Sequence, residues 1–203
     1  MDVNTNIIFY NINRVANVTI RAFGWKYFQG ALPFNHNEKC ACGMEVNTHS
    51  HMFFECRRTK FLREQADRFA SLIYVQKPFK YTIPWNENFF WGDWGTKDPK
   101  PPITRCIMLC TLSTMWKAIG TNIRISITEN IENFVNAQIA VARNIRNEEG
   151  RAKTIAIINK QWKLEKLWLS TTGFPSLKHK TVTYTNGNTL GKDPRRKLPL
   201  DDW

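Results

Sequence analysis

The sequence predicts a mainly α domain, and three observations carry that prediction. Apolar residues recur at helical spacing through most of the stretch from 17 to 170. Gly and Pro stand at the ends of these periodic segments, where helices stop. The composition, 42% apolar and 23% charged over 203 residues, is that of a globular chain long enough to bury a core.

The elements follow in order. "VANVTIRAFGWKYFQGALP" reads as an amphipathic helix with Ile20, Phe23, Tyr27 and Phe28 on one face, ended by Gly30 and Pro33. A loop rich in Cys and His comes next. A second helix is expected from Thr48, a suitable N-cap, to about Ile73. Its apolar face is Phe54, Phe61, Leu62, Phe69, Leu72 and Ile73, and Arg57, Arg58, Lys60, Arg63 and Arg68 decorate the rest. Residues 77–102, rich in Pro, Gly and aromatics, read as an irregular connection whose Trp85, Trp91 and Trp94 cap the core, with stacking on nucleic-acid bases as the alternative. From Ile103 to Ile123 the chain is apolar nearly all round, which marks the central buried helix. Cys106 and Cys110 lie on it as core residues. Two more helices are expected, one opening at Thr128 and running to Glu149, the other from Arg151 to Ser170, with Gly150 as the break. Beyond Gly173, "TVTYTNGNTL" suggests a hairpin on Asn186-Gly187, and "GKDPRRKLPLDDW" a mobile basic tail. Three segments result: 1–76, 77–172 and 173–203.

Charge narrows the partners. Lys plus Arg number 29 against 17 Asp plus Glu, a net charge of +12. So basic a chain favours a polyanion, nucleic acid above all. No membrane partner is expected, because the longest uncharged apolar run, Cys106 to Trp116, is too short to span a bilayer. The N-terminus has no secretory pattern, and the five cysteines are an odd number. Both point to a reducing, intracellular setting. Arg195, Arg196 and Lys197 offer non-specific phosphate contacts or a weak nuclear address.

Three of the five cysteines and two of the four histidines fall within residues 40–56. The spacing is Cys40-x-Cys42-x8-His51-x4-Cys56. Zinc takes four such ligands in a tetrahedron. Two close cysteines on a tight loop supply one edge, and Gly43 follows them where the backbone must turn sharply. His51 and Cys56 supply the other edge. They are five residues apart, which a regular helix does not bring onto one face, so a distorted turn is required. His49 is the rival ligand, but seven residues of regular helix would hold it roughly 10 Å from Cys56. His51 is therefore preferred. Three Cys and one His fill the tetrahedron and leave no place for a reacting water, which excludes a catalytic zinc. A thioredoxin-like C-x-x-C is absent. The overall expectation is a helical domain with a small CCHC zinc knuckle and a mobile basic C-terminal tail.

"FGWKYFQGALPFN" followed by "CACGMEVNTHSHMFFEC" resembles the reverse-transcriptase zinc-binding region of non-LTR retrotransposon polyproteins. Trp25, Gly30, Leu32 and Pro33 match the first part of that pattern; Cys40, Cys42, Gly43, Glu45, His51, Phe53, Phe54 and Cys56 match the second. Trp116 and Lys117 match a helix that often follows in the family, where Ile119-Gly120 replaces the usual Arg-Asn. The family pattern has two residues between its first cysteines, and this chain has one. The resemblance spans roughly residues 17–130 and implies the C-terminal region of a larger replicating enzyme.

The enzyme itself is not expected here. A polymerase needs a carboxylate pair on a hairpin to hold two metal ions, and the only Asp-Asp is Asp201-Asp202, just before Trp203. The expected function is non-catalytic, largely non-specific binding of RNA or DNA, with Arg57, Arg58, Lys60 and Arg63 meeting phosphates from the helix that leaves the knuckle. The rivals are a protein-interaction or purely structural zinc module, or a decayed retroelement fragment.

Overall fold

The computed structural model describes residues 4–33, 39–40, 42–44, 48–74, 82–97, 102–121, 127–162, 168–171 and 174–177. Among these the fold is mainly α. Seven helices run α1 (Thr5–Asn13), α2 (Val18–Phe28), α3 (Lys60–Tyr74), α4 (Glu87–Trp94), α5 (Pro102–Thr121), α6 (Ile127–Arg143) and α7 (Glu148–Trp162). A π-turn, His51–Glu55, stands between α2 and α3. The strands β1 (Trp168–Thr171) and β2 (Phe174–Leu177) pair antiparallel, Trp168 opposite Leu177.

The central element is α5. Ile103, Cys106, Ile107, Met108, Leu109, Cys110, Leu112 and Met115 are all buried on it, and α2, α3, α4, α6 and α7 pack around it. A helix surrounded in this way must satisfy its polar side chains internally. Thr111 and Thr114 donate back to the carbonyls of Ile107 and Cys110 at 2.7 and 2.8 Å. Asn130 of α6 donates to the Cys110 carbonyl at 2.9 Å and so locks α6 against α5.

Asn residues start four of the helices. Asn4, Asn17 and Asn86 each accept a backbone N–H from three residues on, the usual N-cap contact. Asn147 does the same for α7, accepting from Gly150. The helix expected to break at Gly150 therefore breaks earlier, at 144–147, and Gly150 lies inside α7. The connection expected to be irregular over 77–102 contains α4, because the Asn86 cap and a run of Phe and Trp that can bury one face outweigh the local Gly and Pro. The last expected helix, 151–170, is described over Glu148–Trp162, and Trp168–Thr171, expected in it, pairs as a strand with Phe174–Leu177 instead. The helix α1 was not expected. The hairpin proposed at Asn186-Gly187 and the basic tail lie outside the described residues.

The C-terminal end of α4 is held from two sides. Asn11 of α1 donates its Nδ2 to the carbonyls of Trp94 and Thr96 at 2.8 and 3.0 Å. Arg105 of α5, fully buried, donates to the carbonyls of Asp93 and Thr96 and stacks over the Trp94 ring. Carbonyls left open at a helix end are thus satisfied by side-chain donors. Asp93 lies 3.7 Å from Arg105 Nε. Burial pushes its carboxyl up to about 6, against the pull of that guanidinium.

An aromatic block joins α2 and α4 to the π-turn. Tyr27 packs edge-on against Phe53 and Phe90, and Phe28 stacks on Phe90 at 5.3 Å. This block seats the Cys/His segment on the core. Among the described residues, no helix is long and apolar enough to cross a membrane.

Candidate metal centre

Two short pieces of chain build the site. The first is a knuckle at 40–44. Cys40 N–H donates to the Met44 carbonyl at 3.0 Å, and Gly43 N–H donates to the Cys40 carbonyl at 2.8 Å. Gly43 has φ 92°, a left-handed conformation that a side chain resists. This turn places Cys40 and Cys42 side by side.

The second piece is the π-turn. Thr48 starts it, its Oγ1 accepting from His51 N–H at 3.1 Å and its carbonyl accepting from Met52 N–H at 2.9 Å. Cys56 N–H then donates to the His51 carbonyl at 2.6 Å, an i to i+5 bond. That wider turn is the distortion the five-residue spacing requires: it returns Cys56 to the side of His51. Cys56 then leaves helical geometry (φ −57°, ψ 129°), and a turn over 57–59 leads into α3. The single helix expected from Thr48 to Ile73 is therefore two elements, split where Cys56 faces the cluster.

The donor atoms of Cys40, Cys42, His51 and Cys56 all lie within 4.8 Å of one another, and all four residues are buried. The Cys40 and Cys56 sulfurs are 3.7 Å apart, and Cys42 Sγ is 3.2 Å from His51 Nε2. A tetrahedral ion at ordinary zinc–sulfur and zinc–nitrogen lengths sets its ligands about 3.8 Å (S···S) and about 3.6 Å (S···N) apart. A disulfide would need about 2 Å, and all five cysteines are free. Three thiols and an imidazole converging in a buried cluster are a donor set for a soft or borderline metal ion.

The surroundings grade the thiols. Burial pushes Cys40 up to about 11. Burial also works against ionising Cys42, but the backbone amide of Met44, the neighbouring thiols of Cys40 and Cys56, and the Arg57 guanidinium outweigh it and hold that thiol below its ordinary value. On the far side of the imidazole, Glu55 Oε2 lies 4.0 Å from His51 Nδ1, the side from which carboxylates orient ligating histidines.

His49 lies outside the cluster. Its ring packs against Tyr27 and Phe53, with centroids 6.5 and 6.2 Å away. The four basic residues separate. Arg57 and Lys60 are exposed, and Lys60 pairs with Glu64 at 3.8 Å. Arg58 is half-buried. Arg63 is buried, and its guanidinium is spent on protein acceptors: the carbonyls of Phe53 and Cys56 at 3.2 and 2.8 Å, and Thr59 Oγ1 at 2.7 Å. It does not join the surface cations expected to meet phosphate. Thr59, which was not singled out, donates from Oγ1 toward the carbonyls of Met52 and Cys56. One signal for both was available: Thr59 and Arg63 are i, i+4, and Arg63 falls i, i+3 and i, i+7 from the buried Ala66 and Ala70 of the α3 inner face.

Comparison with protein-family models, curated proteins and solved structures finds no match to this chain.

Proposed function

We propose that the cluster is a structural zinc centre and that the domain it staples binds nucleic acid without catalysing a reaction. The observation that carries the reading is the convergence of Cys40, Cys42, His51 and Cys56 within 4.8 Å, buried, from two separate turns. Zinc suits three thiolates and an imidazole, has no redox chemistry of its own, and in a closed four-ligand site acts as a cross-link. The cross-link ties the 40–44 knuckle to the π-turn and the start of α3.

The nucleic-acid half of the reading rests on charge and position. The net charge is +12, and Arg57 and Arg58 on the turn and Lys60 at the start of α3 follow the last ligand directly, in a direction the metal would fix. Cations held in one direction gain more from phosphate than cations on a loose chain, because less ordering entropy is lost on binding. The likeness to retroelement zinc-binding regions belongs to the same proposal, supported by the fact that its four ligand positions are the four that converge. A nuclear setting would follow from that partner. The burial of Arg63 favours a second reading, a purely structural or protein-interaction module, since it takes one cation away from the surface.

The test is binding of the zinc-loaded chain to labelled single-stranded RNA and DNA across a salt series. Neutralising about three phosphates gives a log–log slope near −2 on single strands. Arg57→Glu with Lys60→Glu should weaken binding more than Arg195→Glu with Arg196→Glu, which alters net charge equally. Equal losses would mean diffuse attraction without a site, and no binding at low salt would favour the module reading.

A further inference from the structure

The wide turn that brings Cys56 to the cluster creates a local problem. When Cys56 turns to extended geometry, the chain ends its helical ladder abruptly, and the last carbonyls of the turn lose their amide partners. Two side chains take them up. Thr59 Oγ1 lies 2.8 Å from the Met52 carbonyl and 3.1 Å from that of Cys56, but a hydroxyl has one proton to give. Arg63 supplies the rest. Its Nη1 reaches the Phe53 carbonyl and Thr59 Oγ1, and its Nη2 reaches the carbonyl of Cys56. The planar fork thus clamps three residues of the ligand-bearing segment at once, which the single point charge of a lysine does not do.

We propose that Arg63 is a positioning residue of the metal centre: its guanidinium holds the π-turn and the backbone of Cys56 in the geometry in which Cys56 reaches the ion. The proposal rests on the metal-centre reading and gives it a second layer. Its bonds go to backbone carbonyls and a hydroxyl, not to the sulfurs, so it acts through Cys56 rather than on the ion. Charge works in the same direction. Three thiolates, a neutral imidazole and a divalent ion leave the centre with one negative charge, and Arg63 is a buried cation bonded to one of its ligand residues. Metal sites commonly lose about 10- to 100-fold in affinity when such outer partners are removed.

The test is cobalt(II) titration of the full chain, read by thiolate-to-cobalt absorption, with zinc competition for the affinity. Arg63→Gln should bind cobalt about tenfold or more weakly than the wild type. Arg63→Lys, which retains the charge and most of the stem but not the fork, should recover part of the loss and shift the cobalt spectrum. Lys153→Gln, an equal charge change on the exposed face of α7, should bind like the wild type. If Arg63→Gln fails to fold, Arg63→Lys decides alone: a folded lysine variant with wild-type affinity and spectrum overturns the proposal. Wild-type affinity in both variants overturns it as well. A wild-type chain that binds no cobalt sinks the metal-centre reading itself, a different result from wild-type binding that survives loss of the guanidinium.

Discussion

The amide of Cys56 donates to the carbonyl of His51 at 2.6 Å across five residues, and through that one bond the two ligands reach the same side of the chain. A regular turn would bond residue 55 instead and carry Cys56 round away from the imidazole. Ligand spacing and backbone geometry are therefore one feature.

The first expectation is one zinc ion per chain. His51→Ala and Cys56→Ser should each abolish stoichiometric zinc in native mass spectrometry, and His49→Ala should retain it. Because metal binding and local folding are coupled at such sites, a chelator should raise amide exchange over 40–59 while the core of α5 stays protected. Zinc retained in His51→Ala and lost in His49→Ala would invert the assignment.

Gly43 should tolerate no ordinary side chain without cost, although there is room for one. The nearest atom to an added Cβ is Arg57 Nη2 at 3.9 Å, so the penalty is one of backbone conformation at φ 92°. Gly43→Ala is expected to cost about 1–2 kcal/mol, seen as roughly tenfold weaker zinc binding. Gly43→Asn should be milder, since Asn accepts left-handed geometry more readily. Equal affinity in Gly43→Ala would show that the turn relaxes.

Asp93 gives a pH dependence of defined sign. Its carboxyl is raised to about 6 by burial, so the folded state holds the proton more tightly than the unfolded chain does. The stability it contributes is fully present below the ordinary carboxylate range and is lost as pH rises through about 6. Asp93→Asn should remove this slope, so the stability difference between variant and wild type should change by up to about 2–3 kcal/mol between pH 4 and pH 7. Urea denaturation of both chains in chelator keeps metal release out of the comparison. A difference that does not vary with pH would contradict the raised value.

Gly24 of α2 faces Ile12 of α1. A Cβ there would stand 2.6 Å from Ile12 Cδ1. Gly24→Ala should destabilise by about 1–3 kcal/mol through overpacking. Ile12→Val removes the clashing methyl, so the double variant should lose less than the sum of the two single changes. Strict additivity in thermal melts would place the strain elsewhere.

Elements that depend on local pattern were legible in the sequence. The all-round apolar run of α5 admits only a buried helix, and the crowding of Cys40, Cys42, His51 and Cys56 announces a donor cluster whatever surrounds it. Elements that depend on partners were not. The split at Cys56 is invisible to periodicity because Phe54 before it and Leu62 after it both fit a single helix. Arg63 reads as a surface charge until the carbonyls of Phe53 and Cys56 are in view. In α4 the Trp and Phe content suggests packing, but only the Asn86 cap distinguishes a helix from a coil. Gly150 looked like a helix stop because its role beside Asn147 depends on where α7 begins.

The clasp on α4 has a consequence for the order of assembly. Its carbonyls are received by Asn11, 83 residues before Trp94, and by Arg105, 12 residues after Asp93. The short loop to Arg105 can close early, whereas the long one carries a larger entropic toll and closes late. The first helix then acts as a final bolt: the remaining helices can gather around α5 before it, and its arrival seals the aromatic segment against water. In a refolding time course, amide protection of α1 should trail protection of α5.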